Sequence, residues 1–137
     1  MGKREMTETD YVALADFRAT LRQFLAFSER EAKQAGLTPQ QHQALLAIKG
    51  AEAGKMTIGL LAERLILKPH STSGLVKRLE ELNLIYRIDC AEDQRKMALG
   101  LTEQAEKLLS ALSSAHLDEL RRVGPLLSEL MTRFHTE

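Results

Sequence analysis

The stretch "LIYRIDCAEDQRKMALGLT", residues 84–102, alternates apolar and polar side chains on either side of a charged centre. The apolar positions two residues apart are Leu84, Tyr86 and Ile88 before that centre and Met97, Leu99 and Leu101 after it. A period of two is typical of β-strands, and two such runs around a short polar segment predict a β-hairpin. The tip of this hairpin carries Asp93, Arg95 and Lys96. Because a lone hairpin is barely stable in water, other elements are expected to support it.

Two helical patterns lie towards the beginning of the chain. Apolar residues at steps of three and four predict a long helix over about 9–35, which ends at Gly36. A second helix is expected to open with Thr38 as its N-cap, Pro39 at its first position and Gln41 at its third. This combination predicts a capping box, in which the first and last of these side chains bind each other's backbone N–H groups.

Two shorter helices are predicted directly before the hairpin. After a short extended piece at 55–57, the segment "TIGLLAERLIL" predicts a third helix, and a fourth begins at Pro69 and ends at Asn83, a residue that tolerates the left-handed conformation. The residues expected to face inward are Ile58, Leu61 and Leu65 on the third helix and Leu75, Leu79 and Leu82 on the fourth. These two helices and the hairpin are therefore neighbours in the chain.

Helical patterns also follow the hairpin. Thr102 is expected to cap a helix that runs through about Val123, and "GPLLSELMTRF" at 124–134 predicts a separate last helix. The predicted fold class is thus mainly α (α+β), with helices, one small hairpin and helices in that order. A length of 137 residues without a repeat or a linker is typical of a single domain.

The order of two short helices and a hairpin is that of a winged helix-turn-helix, in which the second helix enters the DNA major groove with its N-terminal residues against the base edges. Short polar side chains at that end suit bases and phosphates alike, and cations further along suit the flanking phosphates. The candidate DNA-binding residues on this helix are His70, Ser71, Thr72, Ser73, Lys77 and Arg78. The alternative is that Ser71 and Thr72 merely form a polar first turn.

The hairpin would then be the wing. An arginine at its tip suits the narrow minor groove, where the negative potential of DNA is strong. Asp93 stands two residues before Arg95, so its carboxylate is placed to hold the guanidinium extended. The alternative for this pair is an ordinary solvated ion pair on the surface.

These motifs together resemble those of the MarR family of multiple-antibiotic-resistance regulators, and the resemblance covers nearly the whole chain. The family's pattern is Leu-Val-x-Arg-Leu-Glu, an apolar strand ending in arginine, Asp-x-Arg, and apolar-x-Leu-Thr. The matching segments are Leu75–Glu80, Ile85–Arg87, Asp93–Arg95 and Leu99–Thr102. Asn83 and Ala105 depart from the pattern, since glycine is usual at both positions.

The resemblance implies a homodimeric repressor that binds a pseudo-palindromic operator in double-stranded DNA and is released by a small-molecule effector. It implies one MarR-like domain over 1–137, with a winged helix-turn-helix core at about 38–101 and dimerisation helices at about 9–35 and 102–137. It also adds Arg87 to the DNA-binding set, beside Asp93, Arg95 and Lys96 of the wing.

The terminal helices favour a dimer on physical grounds as well. The aromatic and aliphatic residues of the first helix and the last one exceed what a small helix-turn-helix module can cover. These residues are Tyr11, Phe17, Phe24, Phe27, Leu126, Leu127, Leu130, Met131 and Phe134.

Other function classes find little support in the sequence. The histidines and the single cysteine, Cys90, lack metal-ligand spacing, and acidic neighbours disfavour a reactive thiolate at Cys90. No catalytic motif is present, so neither an enzyme nor a cofactor is expected. No apolar run is long enough to cross a membrane and the first residues are too polar for a signal peptide, so we expect a cytoplasmic protein.

A net charge of zero motivates one alternative from another class, a winged-helix module that binds proteins and not DNA. The local basic run of Lys68, Lys77 and Arg78, together with Arg95 and Lys96, argues against it.

Overall fold

The computed structural model of this chain describes residues 5–89 and 97–135, and within these ranges it contains five helices and two strands. They are α1 (Glu8–Gln34), α2 (Pro39–Gly50), α3 (Ile58–Leu65), α4 (Pro69–Glu81), β1 (Ile85–Asp89), β2 (Met97–Leu101) and α5 (Glu103–His135). The predicted mainly α fold with one small hairpin is confirmed. None of the helices in the described ranges combines the length and the apolar character needed to cross a membrane.

The chain divides into two compact units. One is Ala32–Ser113, which contains α2, α3, α4 and the hairpin, and we call it the winged unit. The other joins Met1–Glu31 to Ser114–Glu137, so that it consists mainly of α1 and the second half of α5, and we call it the terminal unit.

The start of α2 is fixed by the predicted capping box. The backbone N–H of Gln41 donates to Thr38 Oγ1 over 3.1 Å, and the backbone N–H of Thr38 donates to Gln41 Oε1 over 3.0 Å. Pro39 fills the first turn, where its missing N–H costs no hydrogen bond. The prediction for this helix is confirmed in each of its three residues.

The turn between α3 and α4 is short because Ile66 reverses the chain in the left-handed conformation, with φ 55° and ψ 49°. The backbone N–H of Leu67 then donates to the Ala62 carbonyl over 2.9 Å, which closes the end of α3. Pro69 opens α4 three residues after Ile66. The two helices are thereby held as a compact pair.

The core of the winged unit lies between α2, α3, α4, the hairpin and the start of α5. Its most deeply buried members include Leu45, Leu61, Val76, Leu79, Leu84, Ile85, Leu99 and Leu109. The buried stripe of α4 differs from the predicted one. Thr72, Val76 and Leu79 are fully buried, whereas Leu75 and Leu82 are half-buried. Steps of four and three from Thr72 keep this stripe on one face of the helix.

The hairpin pairs antiparallel with Ile85 opposite Leu101 and Asp89 opposite Met97. The expected extended piece before α3 is confirmed at Met56 and Thr57, because Thr57 forms a β-bridge with Ala98 and the N–H of Leu99 donates to the Met56 carbonyl over 2.8 Å. Lys55 lies in a turn instead. Among the described residues these contacts and the core contacts of Leu99 anchor the hairpin on the winged unit.

The last part of the chain corrects a prediction. We expected a separate helix from residue 124, but α5 continues unbroken to His135 with Pro125 inside it. Val123 and Leu130 are buried and Leu127 is half-buried, so the apolar stripe keeps the same helical phase across the proline. Pro125 is itself exposed, and water can satisfy the carbonyl that loses its helical partner. The Gly-Pro pair therefore does not end the helix.

Candidate nucleic-acid interface

One face of α4 is buried and the other is open to solvent. Thr72, Val76 and Leu79 hold the helix against the core. The exposed positions of its first three turns are Pro69, His70, Ser71, Ser73, Gly74, Lys77 and Arg78. Five of the six predicted DNA-binding residues of this helix are thus brought together on one accessible surface.

Thr72 is the sixth, and the structure corrects its predicted role. Its side chain is 0% exposed, and its hydroxyl donates to the Lys68 carbonyl over 3.0 Å. A hydroxyl occupied in this way, on the core side of the helix, has no access to a base edge. Helical phase explains the placement, since Thr72 stands four residues before Val76 and seven before Leu79. Thr72 is therefore left out of the candidate interface.

The N-terminus of α4 is open to an anion. Lys68 is the N-cap residue and its side chain makes no capping hydrogen bond. The N–H groups of a first turn without such a cap point along the axis, where the positive end of the helix dipole favours phosphate. The cation of Lys68 stands directly before this end of the helix.

The positive charges of α4 differ in how strongly they are already engaged. Lys77 is exposed and has no ion pair with any residue in the described ranges. Arg78 contacts Glu81 over 3.4 Å, but both side chains are more than half exposed, so this pair is weak. Both cations are therefore available to phosphates.

Arg87 lies on β1, and its Nε donates to Glu80 Oε1 over 2.9 Å. This contact joins the wing to the last turn of α4. The sequence does not indicate this role for Glu80, since it stands seven positions before Arg87 and a helix ends and a strand begins between them. The family motif contains both residues, but a motif does not state that they touch.

The remaining predicted residues of the wing, Asp93, Arg95 and Lys96, lie outside the residues that the structure describes, as does Cys90. Within the described part of the chain no group of histidine, aspartate or glutamate side chains could hold a metal ion.

A sequence model of the MarR family matches residues 35–96, which include α2, α3, α4 and β1. Over these residues the chain is similar to the MarR family. Its α2, α3 and α4 with the β1–β2 wing have the arrangement of a winged helix-turn-helix.

Individual relatives of this chain are HTH-type transcriptional regulators. The HTH-type transcriptional regulator SarZ of Staphylococcus epidermidis is 33% identical over 81 residues, which are 59% of this chain and 53% of SarZ. The chain thus spans about half the length of the curated relatives that it matches at this identity.

Solved structures of transcriptional regulators extend the similarity over most of the chain. The MepR–DNA complex of Staphylococcus aureus superposes with a TM-score of 0.70 at 26% identity, covering 94% of this chain and 90% of MepR. AbsC, a MarR family regulator of Streptomyces coelicolor, superposes with a TM-score of 0.75 at 23% identity, covering 97% and 94%, and shows the shared fold.

Proposed function

We propose that this chain is a sequence-specific DNA-binding transcriptional regulator, a ligand-responsive repressor that acts as a homodimer on a pseudo-palindromic operator. The observation that carries the proposal is the solvent face of α4, where short hydrogen-bonding side chains and exposed cations share one surface. The names of SarZ as a transcriptional regulator and of the MepR structure as a DNA complex support it. Since the relatives are named as regulators, we assign no reaction and no cofactor to the chain.

Each part of the proposed interface has its own role. His70, Ser71 and Ser73 lie in the first turns of α4, where side chains reach base edges in the major groove. Lys77 and Arg78 lie further along and bind phosphates, which position the protein without reading sequence. Arg87 joins them at the base of the wing. Asp93, Arg95 and Lys96 stay a prediction for minor-groove contact.

The homodimer is supported by the terminal unit. Its buried apolar side chains in the described ranges are few, namely Ala13, Val123 and Leu130. Many large ones are between 37% and 56% exposed, which are Met6, Tyr11, Val12, Leu14, Leu21, Leu25, Leu117, Leu120, Leu126 and Met131. A surface of this kind favours burial against a second copy. In the dimer the two α4 helices would reach half-sites about 34 Å apart, one turn of DNA.

The dimer is tested by its mass in solution. Light scattering of the full chain should give the mass of two chains, and Leu14→Glu combined with Leu126→Glu should give one chain or an aggregate. Leu60→Glu is the matched control, because Leu60 is 47% exposed but lies on α3 in the winged unit. A mass of one chain for the unchanged protein would exclude the dimer.

The DNA-binding function is tested by selection. Genomic fragments from the source organism are incubated with the full chain, and the bound fragments are sequenced. We expect a few fragments that share a pseudo-palindromic sequence, and we expect Ser71→Ala combined with Ser73→Ala to lose that enrichment. Recovery of no common sequence by the unchanged protein would contradict the proposal and favour the protein-binding alternative.

Two further parts of the proposal follow from the same role. A regulator of chromosomal genes has to share their compartment, so the cytoplasm stays the expected location. An effector that releases DNA stays a prediction from the family resemblance, and adding candidate small molecules to the selected complex tests it.

A further inference from the structure

The contact between Glu80 and Arg87 joins the two elements that would lie on either side of a DNA phosphate backbone. Glu80 is in the last turn of α4 and Arg87 is in β1, directly opposite Leu99 of β2. The carboxylate accepts from Arg87 Nε over 2.9 Å, with the two side chains 33% and 36% exposed. Leu99 is buried, so the strand that carries Arg87 is fixed to the core.

Glu80 binds the Nε of Arg87, and this determines which N–H donors of the guanidinium remain for another ligand. A guanidinium has five N–H donors, and Nε supplies one of them. The four donors on the terminal nitrogens make no hydrogen bond with any residue in the ranges 5–89 and 97–135. A planar guanidinium that is held at Nε keeps a fixed orientation, with terminal donors of the geometry that suits a phosphate.

We propose that Glu80 is a positioning residue, which holds Arg87 at Nε so that its terminal nitrogens bind a DNA phosphate between α4 and the wing. This inference rests on the proposed function, because it concerns the same surface. It assigns a role in DNA binding to an acidic residue, which by its charge alone opposes that binding.

Whether DNA binding weakens or strengthens when the Glu80 carboxylate is removed therefore distinguishes a positioning role from mere proximity to the DNA. A carboxylate near a phosphate backbone repels it, so removing a carboxylate without another role strengthens DNA binding. Removing a carboxylate that orients an arginine weakens binding, because the arginine then loses side-chain freedom on each binding event. Glu81 provides the comparison, since it is the next residue of α4 and its contact with Arg78 is long and exposed.

The experiment uses a duplex that the unchanged protein selects from genomic fragments. This duplex is titrated with six proteins at fixed salt. The proteins are the unchanged chain, Glu80→Ala, Glu80→Gln, Glu81→Ala and the double variant Glu80→Ala with Arg87→Ala, and Arg87→Ala alone is the reference for the last. We expect Glu80→Ala to weaken binding on the order of tenfold, as the loss of one charge-assisted contact does. Glu80→Gln, which keeps an acceptor oxygen, should recover part of that loss.

The remaining variants show whether Glu80 acts through Arg87. Glu81→Ala should bind as well as the unchanged protein or more tightly. In the Arg87→Ala background, Glu80→Ala should weaken binding no further. Thermal unfolding and circular dichroism check that each variant is folded, and Glu80→Gln replaces Glu80→Ala if the latter is not.

Two results would overturn the inference. One is a Glu80 variant that binds the duplex as tightly as the unchanged protein or more tightly. The other is an equal loss with and without Arg87. Failure of the proposed function is distinguishable from both, because then the unchanged protein itself selects no common sequence.

Discussion

Thr72 and Ser71 are neighbours with the same hydroxyl chemistry and opposite surroundings. Thr72 is buried with its hydroxyl bound to the Lys68 carbonyl, and Ser71 is exposed. We predict that Thr72→Ala lowers the free energy of unfolding by about 1–2 kcal/mol through the lost hydrogen bond and packing. Ser71→Ala should change it by less than about 0.5 kcal/mol. Urea unfolding of both variants measures this.

In DNA binding we expect the opposite order, with the larger loss of sequence preference in Ser71→Ala. Ser71→Ala is expected to reduce the preference for the selected duplex over a scrambled one, with a loss of about 1–3 kcal/mol if Ser71 reads a base. A stable Thr72→Ala protein that has lost this preference would contradict the orientation of α4 described here.

Ile66 is a strained residue whose side chain contributes little packing. It is β-branched, adopts φ 55° and is 91% exposed. Because glycine adopts this conformation freely, we predict that Ile66→Gly raises the free energy of unfolding by about 1 kcal/mol, after the entropy of the more flexible unfolded chain is subtracted. Ile66→Ala is the control, since it removes the side chain and keeps the strain. Equal stability of the two variants would show that the backbone at this turn is not strained.

At the scale of elements, α4 combines a buried stripe with a charged outer face, and Lys77 reports on that face alone. We predict that Lys77→Ala weakens binding to selected and scrambled duplexes equally. The salt dependence should fall by about one unit for each lost phosphate contact, hence about two for a dimer. Titrations at several salt concentrations measure this slope. The control is Lys107→Ala, whose lysine is also exposed but lies on α5 beside Glu103. If Lys77→Ala changed the preference for the selected duplex over the scrambled one, Lys77 would contact a base and not a phosphate.

Pro125 is the second test at this scale. Proline is less favourable than alanine inside a helix by about 3 kcal/mol, and Pro125 is exposed, so few contacts offset that cost. We predict that Pro125→Ala raises the stability by about 1–3 kcal/mol, measured by thermal unfolding at one fixed protein concentration. A decrease would mean that the proline ring packs on a partner surface.

The elements also show what the sequence could predict. The start of α2 was predictable because Thr38, Pro39 and Gln41 act on one another within a single turn. The break expected at 124 was wrong, since a local Gly-Pro signal was weighed above an apolar stripe that continues on both sides. The burial of Thr72 was missed because a polar residue was expected to be exposed. Its spacing from Val76 and Leu79 places it on the buried face of the helix. The contact of Glu80 with Arg87 depends on the angle between α4 and β1, which no local pattern encodes.

At the scale of the whole molecule, a net charge of zero and DNA binding are compatible because the charges are unevenly distributed. Lys68 at the N-cap of α4 and Lys77 and Arg78 on its outer face are basic, and Glu119 is one of the acidic residues of the terminal unit. There the hydrogen bond from Arg122 lowers the pKa of Glu119, which stays ionised at neutral pH. A dimer would place two such basic faces on one duplex, which doubles the phosphate contacts without raising the net charge of the chain.

The most direct test of this account is an equilibrium titration of the selected duplex with the full chain, repeated on a scrambled duplex of the same length. We predict saturation at two chains per duplex, a preference for the selected sequence of at least about a thousandfold, and a linear fall of log affinity with log salt. Equal affinity for the two duplexes, or no saturable binding at low salt, would contradict the central claim that the outer face of α4 reads DNA.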